Sequence, residues 1–150
     1  MNEFFQILKK DHKELKGILA QLEETGNKSK KRDELFQKVK EELVPHMKAE
    51  EITFYPPLLA AKKDAREVAL EGVEEHHVSE MVFKELEKMP KDQDQWAAKL
   101  SVFKELLEHH IKEEEGTIFK TAEKVLSQTK LQNILKQFVE EKRKFKENLQ

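Results

Sequence analysis

His46-Met47-Lys48-Ala49-Glu50-Glu51-Ile52-Thr53-Phe54 has a counterpart 64 residues further along, His110-Ile111-Lys112-Glu113-Glu114-Glu115-Gly116-Thr117-Ile118. In each, a Glu follows the His by four residues and an apolar residue follows it by eight. The same shift of 64 carries His12 onto His76. Each half of the chain therefore holds a His, a step of 34 residues, and then His-x-x-x-Glu.

An α-helix turns about 100° per residue, so positions i and i+4 share a face. His46 and Glu50 can point at one centre, as can His110 and Glu114. Imidazole nitrogen suits Fe, Zn, Cu or Ni, and carboxylate adds hard oxygen donors able to bridge two ions. Glu51 and Glu115 stand another 100° round, in solvent or as hydrogen-bond partners of the ligands. The alternative is a pair of amphipathic helices carrying chance His and Glu on their wet faces. The apolar periodicity argues against it.

A first helix is expected from about residue 2 to 24, with the stripe Phe4, Leu8, His12, Leu15, Leu19, Leu22 at steps of three and four. His12 occupies a core slot. Thr25-Gly26-Asn27-Lys28-Ser29 reads as a loop. A second helix starts near Lys31 with the stripe Phe36, Val39, Leu43, His46, Glu50, Phe54. Two polar residues in consecutive inward slots need a partner, because an unpaired buried carboxylate costs on the order of several kcal/mol. Pro45 removes a backbone donor and predicts a bend. Pro56-Pro57 predicts a break, with 58 to 63 as a short continuation. Asp64 to Glu67 has capping-box spacing for a third helix, whose stripe is Ala69, Val73, His76, Glu80, Phe83. That helix ends before Pro90, and Asp92 with Gln95 is the expected cap of the fourth. The fourth carries Trp96, Leu100, Phe103, Leu107, His110, Glu114, Ile118 and repeats the second slot for slot, with Gly116 as its bend. A last helix, about 129 to 148, carries Leu131, Leu135, Phe138 and Phe145 outside the duplication. It is expected to pack across the bundle or against a second chain as a homodimer contact.

With 150 residues the chain reads as a single domain, 1–150, with repeat halves of about 3–62 and 66–126. Charged residues make up 39%, hydrophobic residues 37%, and there are only four Gly and four Pro. That composition favours long helices with charged outer faces over a sheet protein. The net charge is −2 with both signs interspersed, which gives no field for nucleic acid or a membrane surface. The absence of Cys excludes thiol chemistry and cysteine-held clusters. The start Met1-Asn2-Glu3-Phe4-Phe5 has no signal-peptide pattern and no stretch is long enough to span a bilayer, so a cytoplasmic protein is the expectation. The basic run Lys142, Arg143, Lys144, Lys146 reads as a solvated helix end.

Four long helices with short connections predict an all-α, up-down-up-down four-helix bundle with an extra C-terminal helix, a fold that places metal sites on inward faces. Each of the four helices brings a core His, and two bring a Glu. The pseudo-two-fold repeat would set His12 with His46 on one side and His76 with His110 on the other, with Glu50 and Glu114 able to bridge. Two six-coordinate ions need about twelve bonds. Four His, two bridging carboxylates and one bridging oxygen supply about ten, leaving about one open position per ion for a small molecule.

These motifs resemble the hemerythrin-like (HHE cation-binding) family over about residues 3 to 125. The resemblance rests on Asp11-His12-Lys13-Glu14-Leu15, on His46-x-x-x-Glu50-Glu51 running to Phe54-Tyr55-Pro56, on Glu75-His76, and on His110-x-x-x-Glu114-Glu115 running to Ile118-Phe119. It implies a four-helix bundle with a non-haem di-iron site, two Fe ions bridged by oxo or hydroxo oxygen and by two carboxylates. It also implies His12, His46, His76 and His110 as terminal ligands and Glu50 and Glu114 as bridges, with dioxygen or peroxide as the small-molecule ligand. Zn or Mn would also suit the donors. Oxygen-carrying members have a fifth His, one turn beyond the His of the third helix. Here that position is Glu80, a candidate seventh metal ligand. His76 is preferred over His77 because it keeps the 34-residue step. His109 reads as partly exposed. Tyr55, the only tyrosine, is nominally on the far face and is expected to pack unless Pro56 redirects it.

Two functions follow: a di-iron protein that binds or senses dioxygen or a related molecule, or a di-iron oxidase or peroxidase-like enzyme. A ferritin-like oxidase would repeat Glu-x-x-His, and only Glu74 with His77 fits that pattern. A structural bundle with a vestigial site is the third reading, and the complete set of inward ligands argues against it.

Overall fold

The computed structural model describes residues 2–26 and 29–149. Asn27 and Lys28 of the expected first loop lie outside the described residues. Helices α1 (Glu3–Glu23), α2 (Lys30–Thr53), α4 (Lys63–Lys88) and α5 (Asp94–Glu113) form the bundle, and no strand occurs among the described residues. A short helix α3 (Tyr55–Leu59) follows α2. A π-helical turn (Glu114–Ile118) leads from α5 into α6 (Phe119–Val125), and α7 (Gln128–Asn148) closes the chain. No helix is long and apolar enough to cross a membrane.

The helix starts show where local chemistry was legible. Asn2 accepts from the Phe4 amide, Ser29 from Arg32 and Ser127 from Lys130, each satisfying an amide the helix itself leaves unpaired. The expected capping box does not form: α4 begins one residue before Asp64, which lies in its first turn beside the positive end of the helix. Likewise α5 starts at Asp94 with Gln93, not Asp92, at the cap position. α2 runs unbroken through Pro45 and ends at Thr53, just ahead of Pro56-Pro57. Gly116 sits inside the π turn, which inserts extra chain immediately after the inward Glu114.

Two apolar clusters fill the interior. One end holds Leu19, Leu22, Phe36, Trp96 and Phe103. The other holds Phe4, Phe5, Phe54, Leu58 and Phe119. Each of these large side chains, withdrawn from water, contributes about 1.5–3 kcal/mol. Between the clusters lies a polar layer of buried His12, His46, Glu50, His76, His110 and Glu114. α7 lies antiparallel along α2 and also touches α1: Phe138 meets His46, and Lys146 pairs with Glu42 at 2.8 Å. The last helix therefore packs on its own bundle, burying Leu131, Ile134, Leu135 and Phe138.

Candidate metal centre

Four helices bring one imidazole each into the layer because each His replaces an apolar residue at a core position, as His12 does between Leu8 and Leu15. The Nε2 atoms face inward. His12 Nε2 lies 3.1 Å from Glu114 Oε1, and His46 Nε2 lies 3.1 Å from Glu50 Oε1. Across the layer, His76 Nε2 is 3.4 Å from Glu50 Oε1 and His110 Nε2 is 3.4 Å from Glu114 Oε2. The Nε2 atoms of His76 and His110 approach to 3.1 Å. The donors fall into two overlapping groups able to hold an ion: His12, His46 and Glu114, and Glu50, His76, His110 and Glu114.

Every ring is fixed from behind by a carboxylate. His12 Nδ1 lies 2.7 Å from Glu115, His46 Nδ1 2.8 Å from Asp11, His76 Nδ1 3.0 Å from Glu51 and His110 Nδ1 2.7 Å from Glu75. A carboxylate at Nδ1 holds the proton there and leaves the Nε2 lone pair for a cation, the arrangement that orients metal-bound histidines. The four carboxylates obey the same 64-residue shift, Asp11 with Glu75 and Glu51 with Glu115. Reading only the inward stripe left Asp11 and Glu75 without a role and Glu51 and Glu115 undecided. Extending the shift to the neighbours of each ligand is the signal that finds all four.

The protons of this layer are held by opposed charges. Burial lowers the affinity of His46 for a proton, but the charge of Glu50 and the hydrogen bond to Asp11 outweigh it and raise its pKa to about 10. His110 is also raised to about 10: burial opposes the shift, and the hydrogen bonds of Glu114 and Glu75 drive it. His12 and His76 are raised for the same reasons. Burial alone would raise Glu114, yet the nearby imidazoles of His110 and His12 hold it well below the usual carboxylate range. A proton and a cation compete for the same Nε2 atoms, so metal binding here is coupled to proton release.

Protons do not satisfy the layer completely. His46 Nε2, both oxygens of Glu50 and Glu114 Oε1 are buried without a hydrogen-bond partner. Each such atom costs about 1–3 kcal/mol, more when charged. All four belong to the inward donor set, so the residues present fit one or more metal ions.

Tyr55 was not expected at the centre. Pro56 and Pro57 end α2 and start α3, and this turn swings the phenol inward. Its hydroxyl donates to Glu114 Oε2 at 2.5 Å and lies 3.4 Å from His110 Nε2. Burial and the Glu114 charge raise its pKa well above the ordinary value of 10.0, so the phenol stays protonated. Gly72 makes room for it: a Cβ there would lie 3.2 Å from the hydroxyl. The internal repeat hides this residue, because the shift of 64 maps Tyr55 onto Phe119 and Gly72 onto Leu8.

Six of the seven expected ligands meet in the layer, and Glu80 does not. Its carboxylate, 28% exposed, pairs with Lys48 at 3.2 Å and Lys84 at 3.1 Å on the rim. Two lysines thus satisfy the carboxylate of this expected seventh ligand at the surface, apart from the inward donors. His77 is exposed. His109 is also exposed, with Nε2 3.4 Å from the second oxygen of Glu75. Beside the imidazoles, Leu15, Leu43, Met47, Leu107 and Ile111 enclose about 10 Å³ for the centre of a water-sized molecule.

Comparison with curated protein sequences finds no significant match. Among solved structures, the chain resembles a hemerythrin HHE cation binding domain-containing protein from Mycobacterium kansasii, with a TM-score of 0.84 and 23% identity. That likeness covers 99% of this chain and 89% of the other, and it shows the shared fold. Residues 3–122 match the hemerythrin HHE cation binding domain family. That span contains the whole duplicated His and Glu layer, and the chain belongs to this family.

Proposed function

We propose that the layer holds two iron ions, His12 with His46 on one and His76 with His110 on the other, bridged by Glu50 and Glu114. The protein then binds or senses dioxygen or a related small molecule. The observation that carries this reading is the pair of overlapping donor groups sharing Glu114, with buried donor atoms that no hydrogen bond satisfies. The donor set alone suits Zn or Mn as well, and iron is preferred from the family. Bound iron would supply one-electron redox chemistry and a Lewis-acidic position for a small ligand. The chain's residues do the rest. The four carboxylates at Nδ1 orient the rings, and the apolar wall of Leu43, Met47, Leu107 and Ile111 shields the centre from bulk water.

A second reading, an oxidase or peroxidase-like activity, is favoured by Tyr55. The buried phenol donates its one hydrogen bond to Glu114 and lies 3.4 Å from His110 Nε2, so it could turn that hydrogen bond onto a small ligand held between the imidazoles.

The test is metal per chain on anaerobically purified protein, followed by its optical spectrum as air and then peroxide are admitted. Two irons and a coloured adduct that bleaches on removing oxygen support binding or sensing. Two irons with peroxide consumed over many turnovers support the enzyme. Less than one metal per chain after reconstitution would refute both.

A further inference from the structure

The duplication predicts two equivalent half-sites, yet the structure covers only one of them. On one side Asp11 holds His46, and α7 lies over the pair. Phe138 is fully buried with its ring 5.5 Å from the His46 ring, and Lys142 Nζ meets the second oxygen of Asp11 at 2.9 Å. On the pseudo-symmetric side Glu75 holds His110, and among the described residues no helix lies over it. The second oxygen of Glu75 faces His109, whose side chain is 63% exposed. Beyond it a groove of about 650 Å³ opens between α4 and α5, lined by Leu70, Val78, Leu106 and Glu113. The Asp11 side chain is 12% exposed, against 27% for Glu75.

A carboxylate bonded to a ligand imidazole fixes the ring only while water does not compete for it. Lys142 occupies the one remaining oxygen of Asp11 and holds the Asp11–His46 pair in place, whereas solvent in the groove reaches Glu75. We propose that α7, through Lys142 on Asp11, makes the His12/His46 position the retained metal position and leaves the His76/His110 position exchangeable through the α4–α5 groove. Lys142 is a positioning residue that acts on His46 through Asp11. The proposal rests on the two-ion reading above.

The test is chelator challenge of the fully loaded protein, with bipyridyl as the iron(II) probe under anaerobic conditions, read as absorbance against time. The unaltered protein should release its iron in two phases of one ion each. Lys142→Gln should speed the slow phase about tenfold, the lower end of the effect expected when a partner behind a ligand is lost. The fast phase should be unchanged. Lys142→Arg keeps the charge and should restore the slow phase. Lys146→Gln breaks a different ion pair of α7, to Glu42 on α2, without touching Asp11, and should change neither phase. A single phase from two bound ions would overturn the proposal. So would equal acceleration of both phases in Lys142→Gln, an unchanged slow phase, or the same acceleration in Lys146→Gln. Binding of fewer than two ions by the unaltered protein would instead refute the two-ion reading, and the proposal with it.

Discussion

Replacing Gly72 by Ala tests how tightly Tyr55 is held against the centre. The new Cβ would stand 3.2 Å from the Tyr55 hydroxyl, 3.2 Å from Ile118 Cδ1 and 3.3 Å from Tyr55 Cε1. Ordinary contacts of this kind start near 3.4 Å, so the neighbours must give by a few tenths of an ångström. Tyr55 is fully buried and its hydroxyl is committed to Glu114, while Ile118 belongs to the π turn. Tyr55 cannot yield without disturbing its contact to Glu114, and Ile118 only by repacking the apolar cluster it belongs to. Overpacking of this sort costs about 1–3 kcal/mol. Gly72 has no positive φ, so Ala also gains about 1 kcal/mol of helix propensity. The balance is a loss of about 0–2 kcal/mol. Gly17 in α1 supplies the control, because its Cβ would meet nothing within 4 Å and Gly17→Ala should stabilise by about 0.5–1 kcal/mol. Urea unfolding of the metal-free variants measures both. Carbon-13 labelling of the only tyrosine reports by NMR whether its hydroxyl environment has moved. If Gly72→Ala stabilised as much as Gly17→Ala and left the tyrosine signal in place, the close approach of α4 to Tyr55 would be wrong.

Removing Glu114 takes away a donor shared by both ion groups and the partner of His12 and His110. Glu114→Ala should abolish metal binding and destabilise the protein by about 3–5 kcal/mol, checked by metal analysis and denaturant unfolding. Glu80→Ala should leave metal content unchanged, and a lost ion would return Glu80 to the ligand set. Tyr55→Phe removes one hydrogen bond, so metal content should persist with a stability loss of about 0.5–1.5 kcal/mol. Under the peroxidase-like reading its peroxide turnover should fall, and unaltered turnover would make Tyr55 a packing residue. The pH dependence follows from the raised histidines. For His46 and His110 the folded pKa of about 10 lies above the ordinary 6.5, so their contribution to the metal-free protein is full below pH 6.5 and is lost as pH rises through 10. Glu51, Glu75 and Glu115 are held below their ordinary 4.5 by the histidines, so their contribution is present above that value and is lost as the solution is acidified. Metal-free protein should therefore have its highest urea midpoint between about pH 4.5 and 6.5. The loaded protein should instead bind its ions more tightly as pH rises. A metal-free midpoint still climbing at pH 9 would contradict the raised histidines.

The helices and the inward His and Glu residues were legible because both depend on a helical period the sequence states directly. His12 falls in line with Leu8 and Leu15, and Glu50 in line with His46. What the period could not supply is geometry set by breaks in it. Tyr55 lies only two residues beyond the last residue of α2, and extending the helix sends it to the far face. The prolines that follow start a new helix and turn it inward. Glu80 shows the reverse: its spacing puts it one turn beyond His76, but spacing along one helix says nothing of Lys48 on the neighbouring helix, which pairs with the carboxylate at the rim. The caps at Asp64 and Asp92 failed for a similar reason, since side-chain spacing alone did not locate the first turns of α4 and α5.

The crossed bracing of the histidines makes the two halves of the chain depend on each other. His12, in the first half, is held at Nδ1 by Glu115 and faced by Glu114, both from the second half. His76, in the second half, is held by Glu51 and faced by Glu50 from the first. Neither half owns a complete set of partners for its own leading histidine. Either half alone could complete this centre only by pairing with a second copy of itself, so the layer ties the two halves of the chain into one cooperative unit.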